Sequence, residues 1–243
     1  MNFQKFEVLI SQSRVSRYLA ATGGNQRKAQ KLYLANLRVA QAFHPLLGLL
    51  EITLRNKIDS ALSIHFGNPN WILTEVNGFM ADPSITKYDK KVKSQVPDHW
   101  LKKEVLKAKT RLTTLQTPIT VGKIIAEQSF GFWTEFFETK YYRVLLGTPI
   151  QAFTGLPSTY GRKEVSQDLN TIRKFRNRIN HNEPICFNSQ NDLDFSEALG
   201  VYSAISNILK LMDTELPQFA KHIDKVKSSI RTAKQLLRWW YVF

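Results

Sequence analysis

Between residues 164 and 180 the apolar side chains fall at Val165, Leu169, Ile172, Phe175 and Ile179. Steps of three and four place all five on one stripe of an α-helix rather than on the alternate positions of a strand. Pro184 disfavours helical geometry at the residue before it, so the helix is expected to end near residues 180–182, with His181 in its last turn or just beyond. Off the stripe the surface is basic, with Arg173, Arg176 and Arg178. Asn177 and His181 are four apart and share a face, and Arg176 lies one position round, near enough to serve the same pocket.

The same period recurs through most of the chain. A short helix over 11–21 is expected to stop at Gly23 and Gly24, and Asn25 is placed to cap the next one. Ala29, Tyr33, Leu37, Ala40 and Phe43 keep helical spacing, and Pro45 suits the first turn of a continuation carrying Leu47, Leu50, Leu54, Ile58 and Ala61. The expectation is a long broken helical hairpin or a kinked helix up to Phe66. Residues 67–97, rich in Gly, Pro and Lys, read as largely loop with short helices. Asp98 is placed to cap a helix over 100–115 whose exposed sides carry Lys102, Lys103, Lys107, Lys109 and Arg111.

Further on, Thr117 before Pro118 reads as a helix start, as does Ser129 before Phe130. The aromatic area of Phe130, Phe132, Trp133, Phe136 and Phe137 fits a domain interior better than a base-stacking surface. Residues 147–161 form a loop leading into the Val165 helix. Asp194 is placed to cap a helix that turns Phe195, Ala198, Leu199, Tyr202, Ile205, Ile208 and Leu209 inward. After Pro217, a stripe of Ile223, Val226, Ile230, Ala233 and Leu237 runs beside a basic face with Lys227, Arg231 and Lys234. Residues 239–243, Trp-Trp-Tyr-Val-Phe, are too apolar to expose cheaply and are expected to dock into the core or onto a second subunit. With no repeat, low-complexity tract or dedicated linker, the 243 residues read as one all-α domain.

Thirty-four Lys and Arg against twenty Asp and Glu leave a formal charge of +14, which favours polyanionic partners through salt-dependent counterion release. Any single Lys reads as part of a solvated face. The clusters Lys102, Lys103, Lys107 and Lys227, Arg231, Lys234, with Arg173 and Arg178, are candidates for contacts to an RNA backbone. The apolar runs are far shorter than the roughly 18–20 residues that span a bilayer, and the start of the chain lacks a secretory pattern. A single Cys, Cys186, excludes an internal disulfide and fits a cytoplasmic protein. The five His are scattered, without His-Glu-x-x-His or a Cys partner at ligand spacing, so neither a metal site nor a cofactor is expected. Residues 155–163 lack the spacing of a phosphate-binding loop, and no nucleophile elbow occurs.

What remains is acid and base chemistry. An imidazole serves as acid or base near neutrality, and a guanidinium fits the oxygens of a phosphate, so Arg176 and His181 suit phosphodiester cleavage. The bare pairing is common, about one per chain of this length by composition, and Arg38 with His44 repeats it in other company. At Arg176 the wording Arg-Asn-x-x-x-His-x-Glu-Pro resembles the Abi-like (abortive infection) family of the HEPN superfamily. The resemblance continues in Ser-Arg-x-x-x-Tyr-Leu from Ser13, in Gly23 and Gly24, in Leu32 and Tyr33, in Leu-Glu-x-x-Leu-Arg-Asn from Leu50, and in Phe-Gly-Phe-Trp from Phe130.

The resemblance implies an all-α HEPN-like helical bundle with additional helices. It also implies a metal-independent endoribonuclease site of Arg176, Asn177 and His181, a homodimer whose two sites meet, and a role in phage defence or as a toxin, with an antitoxin as a further partner. The family also has non-catalytic members, so an RNA-binding or partner-binding module of a defence system stands as the alternative. Arg55 and Asn56 repeat the Arg-Asn pair without a following His. Two readings stand for them, a helix-surface pair of Arg55 with Glu51 and a supporting role for the later site.

Overall fold

The structure, a computed structural model, describes residues 1–238, with side chains through Leu236. The side chain of Leu237 in the last stripe and the apolar segment 239–243 lie outside what is described. Among the described residues the fold is all-α. In order come α1 (Phe3–Ile10), α2 (Gln12–Ala21), α3 (Gln26–His65), α4 (Trp71–Thr74), β1 (Thr86–Asp89), β2 (Ser94–Pro97), α5 (Trp100–Thr114) and α6 (Val121–Glu127). Then follow α7 (Phe130–Glu135), α8 (Thr139–Val144), α9 (Arg162–Asn180), α10 (Ser196–Met212), α11 (Leu216–Ala220) and α12 (Val226–Arg238). No described helix is long and apolar enough to cross a membrane. The chain divides into two compact units, one of Met1–Leu49, Lys174–Asn207 and Glu215–Phe243, the other of Leu50–Arg173 and Ile208–Thr214.

In the first unit the expected punctuation holds. Gly23 and Gly24 adopt φ values of 59° and 79°, and the Gly24 amide donates to the Leu19 carbonyl at 2.9 Å, closing α2 as glycine allows. Asn25 caps α3 through its Oδ1, 3.0 Å from the Lys28 amide. The core packs aromatic edges: Tyr18 lies 5.4 Å from Tyr33 and 5.4 Å from Phe187, and Phe43 lies 4.9 Å from Phe175, ring centre to ring centre. The buried side-chain amide of Asn36 is satisfied there, its Oδ1 accepting from the Ile185 amide at 2.8 Å. Asp224 accepts from the Val226 amide at 2.9 Å and starts α12, which buries Val226, Ile230 and Ala233.

Pro45 does not break the chain into a hairpin: α3 is one helix of 40 residues with Pro45 inside it. Pro45 and Gln41, whose carbonyl loses its partner to the missing N–H, are both exposed, on a side of the helix that solvent can reach. On the opposite side Val39, Phe43, Leu46 and Leu50 are buried and hold the helix together.

In the second unit Phe130, Phe132, Trp133, Phe136 and Phe137 are buried as expected of a core. At about 1.5–3 kcal/mol for each large apolar side chain removed from water, their packing outweighs any use as an exposed stacking surface. Trp71 meets Phe136 edge-on at 6.0 Å and donates its indole N–H to Asp59 at 2.8 Å.

Three expectations fail in this unit. Residues 86–97 form an antiparallel hairpin, Thr86 paired with Pro97 and Asp89 with Ser94, rather than loop. Asp98 does not cap α5; it is 4% exposed, and its carboxylate lies 2.6 Å from the Lys140 ammonium and 3.5 Å from that of Lys87. Helix α6 begins at Val121, capped by the Thr120 hydroxyl, and not at Pro118.

Candidate functional site

The first unit holds the end of α9, and its geometry follows from three residues the sequence places there. Asn182 has φ 53°, a left-handed conformation that asparagine tolerates better than most residues. With it, the Glu183 amide donates to the Arg178 carbonyl at 2.9 Å and the Asn182 amide to the Ile179 carbonyl at 2.9 Å, the paired bonds of a Schellman ending. The His181 amide still donates to the Asn177 carbonyl at 3.0 Å, so His181 keeps the helical register although it follows the last helical residue. Pro184 then carries the chain away.

Two arginines lock this turn. Arg14 of α2 donates from Nη1 to the Asn182 carbonyl at 3.0 Å and from Nη2 to the His181 carbonyl at 3.3 Å. Arg178 spends its whole fork: Nη1 lies 2.5 Å from both carboxylate oxygens of Glu197, Nη2 donates to the Pro184 carbonyl at 2.6 Å, and Nε lies 3.4 Å from Glu183. Arg178 is thus a strut of the turn, with few donors left over for the RNA backbone contact expected of it.

On this support Phe175 and Ile179 are buried, Arg176 is half-buried, and Asn177 and His181 are exposed. The Arg176 cation and the Asn177 amide therefore share one turn of the helix end, and the His181 imidazole follows on the next, open to a substrate. That set can hold an anionic phosphate and move a proton at it.

The basic residues divide between the units. In the first, Lys227, Arg231 and Lys234 are exposed along α12, with the Lys227 ammonium 5.0 Å over the Tyr202 ring, whose hydroxyl donates to Asp224 at 2.6 Å. In the second, Lys103 and Lys107 are exposed on α5, and Lys102 donates to Asn77 at 2.9 Å. Arg173 donates from Nη2 to Asn170 at 2.8 Å, and its buried Nε finds no partner among the described residues. The Nε of half-buried Arg55 is likewise buried without a partner there, while Asn56 is exposed. No group of three or more His, Cys, Asp or Glu among the described residues is disposed to hold a metal ion.

Sequence reasoning met Arg14 only in the Ser-Arg-x-x-x-Tyr-Leu wording and gave neither it nor Arg17 a functional role. They sit three apart on α2, and with Tyr18 they form one face, a spacing legible in the sequence. Arg17 lies over the Phe187 ring at 4.5 Å and donates to the Asn188 carbonyl at 3.2 Å. Next to it Cys186 is buried, and burial pushes its thiol up to about 12. Comparison with family models, with curated proteins and with solved structures finds no match to this chain.

Proposed function

We propose that this chain is a metal-independent endoribonuclease of the HEPN type, acting in phage defence or as a toxin, with Arg176, Asn177 and His181 as its catalytic residues. The observation that carries the reading is the helix end itself, where His181 stands exposed one turn beyond Asn177, the chain neighbour of Arg176, on a backbone fixed by Arg14 and Arg178. His181 takes the proton from the 2'-hydroxyl of the RNA, the freed oxygen attacks the adjacent phosphorus, and the bond to the 5'-oxygen breaks. Arg176 stabilises the charge that gathers on the phosphorus-bound oxygens.

A second acid must protonate the departing 5'-oxygen. The His181 of a second copy supplies it, and the proposal therefore includes a cytoplasmic homodimer with the two helix ends facing each other. Lys227, Arg231 and Lys234 hold the RNA backbone, with Lys102, Lys103, Lys107 and Arg173 as further contacts. An antitoxin is the expected protein partner.

The test is incubation of purified parent protein and His181→Ala with mixed RNA. Cutting by the parent and none by the variant is the expected result. Intact RNA with both, alongside retained RNA binding, would replace the ribonuclease with a non-catalytic RNA-binding module.

A further inference from the structure

Beside the end of α9, in the same unit, lies a notch of about 340 Å³, within the range of small-ligand sites. Arg14, Arg17, Tyr18, Tyr33 and Glu183 line it. Its walls are preorganised: Arg14 is pinned to two carbonyls, Arg17 to one carbonyl and one ring, and Tyr18 is wedged between Tyr33 and Phe187. Yet its polar groups are not used up. Arg14 gives two of its five N–H groups to those carbonyls. The Nε of Arg17 is buried with no partner among the described residues.

Tyr18 is 2% exposed as a residue and lines the notch, and its hydroxyl makes no hydrogen bond among the described residues, so this donor is left for whatever fills the notch. Burial pushes the Tyr18 phenol up, so it remains an O–H donor. The acid in the wall, Glu183, has its charge offset by Arg178 at 3.4 Å.

We infer that the notch binds a phosphate-bearing nucleotide of a single RNA strand, with Arg14, Arg17 and the Tyr18 hydroxyl on the phosphate and the Tyr33 ring beside the base. Guanidinium forks match phosphate oxygens, and an aromatic face takes any base by stacking. Because Arg14 also holds the His181 carbonyl, a nucleotide there is a neighbour of the one cut. The inference thus rests on the ribonuclease reading for its place along the strand, though not for its chemistry.

The test uses full-length protein carrying His181→Ala and a fluorescein-labelled single-stranded RNA, with binding read by anisotropy at 150 mM salt. Arg14→Gln is expected to weaken binding about tenfold and Tyr18→Phe about fivefold, the latter with an unchanged melting temperature. Lys31→Gln, the same loss of charge away from the notch, is expected to change binding less than about twofold. Tyr18→Phe and Arg14→Gln both binding like the parent would overturn the inference, and Tyr18→Phe decides alone if Arg14→Gln fails to fold.

Uridine 3'-monophosphate added as competitor separates strand from free nucleotide. Displacement only at far higher concentration than unlabelled strand supports the assignment, and displacement at equal concentration overturns it. No step depends on cleavage. RNA left intact by the protein that retains His181 counts against the ribonuclease alone, and cutting by that protein with unaltered binding in the notch variants counts against the notch alone.

Discussion

Arg14 Nη2 donates to the main-chain carbonyl of His181 at 3.3 Å, so the residue proposed to move protons is anchored through its backbone and not through its ring. The carbonyls at a helix end are left without partners by the helix itself, and here a side chain from α2 supplies them. His181→Ala keeps this bond and removes only an exposed ring. Its melting temperature is expected to stay within about 2 °C of the parent, while cleavage falls by about a hundredfold or more. A large fall in melting temperature accompanying lost activity would assign His181 a structural role.

Arg178 should behave in the opposite way. Its guanidinium ties the Pro184 carbonyl and the carboxylates of Glu183 and Glu197 into one turn, although the Glu197 carboxylate is half exposed, which weakens the pair. Arg178→Gln is expected to cost about 1–2 kcal/mol in urea unfolding. An unchanged midpoint would show that the turn holds without it.

The chemistry has its own signature. With the RNA hydroxyl as nucleophile, the products should carry a 2',3'-cyclic phosphate and a 5'-hydroxyl, EDTA should leave cutting intact, and a 2'-deoxy residue at the cut site should stop cleavage while sparing most binding. EDTA-sensitive cutting of the deoxy substrate to a 5'-phosphate would point to a metal-activated water instead.

Acid should unfold the second unit through Asp98. Burial would raise its carboxyl, but the hydrogen bond and charge of Lys140, with Lys87 behind it, hold it below the ordinary aspartate value. A depressed acid adds stability above its unfolded value, about 3.9, and loses it as pH falls through the lower folded value. Melting temperature should therefore drop with pH below about 4 in the parent. Asp98→Asn should melt lower at pH 7 and show less of that drop, and parallel pH profiles would contradict the assignment.

Pro45 offers a gain. Proline is disfavoured against alanine by about 3 kcal/mol inside a helix, offset in part by the looser unfolded chain of the variant. Pro45→Ala restores the amide for Gln41 and is expected to stabilise by about 1–2 kcal/mol. A loss measured by urea unfolding would mean that the packing of Phe43 and Leu46 depends on a local bend.

The helical periods and the end of α9 were legible because both are local: apolar steps of three and four, an asparagine able to take positive φ, and a proline two residues on. Asp98 was misread because its position before α5 mimics a cap, while the partner that claims its carboxylate lies 42 residues away. The hairpin at 86–97 escaped because both strands are short and largely exposed, with no buried alternate face to give a period. Arg14 and Arg17 had visible spacing, but nothing local announces that the carbonyls of Asn182, His181 and Asn188 are what they meet.

The lone thiol of Cys186 gives this region a chemical clock. Buried, and held in its protonated form by that burial, it should be nearly inert to a thiol-labelling reagent in the closed protein, so any labelling at neutral pH times excursions in which the chain between Pro184 and Asn188 lifts away. Slower labelling in the presence of RNA would show, without any turnover, that occupying the surface around His181 suppresses those excursions.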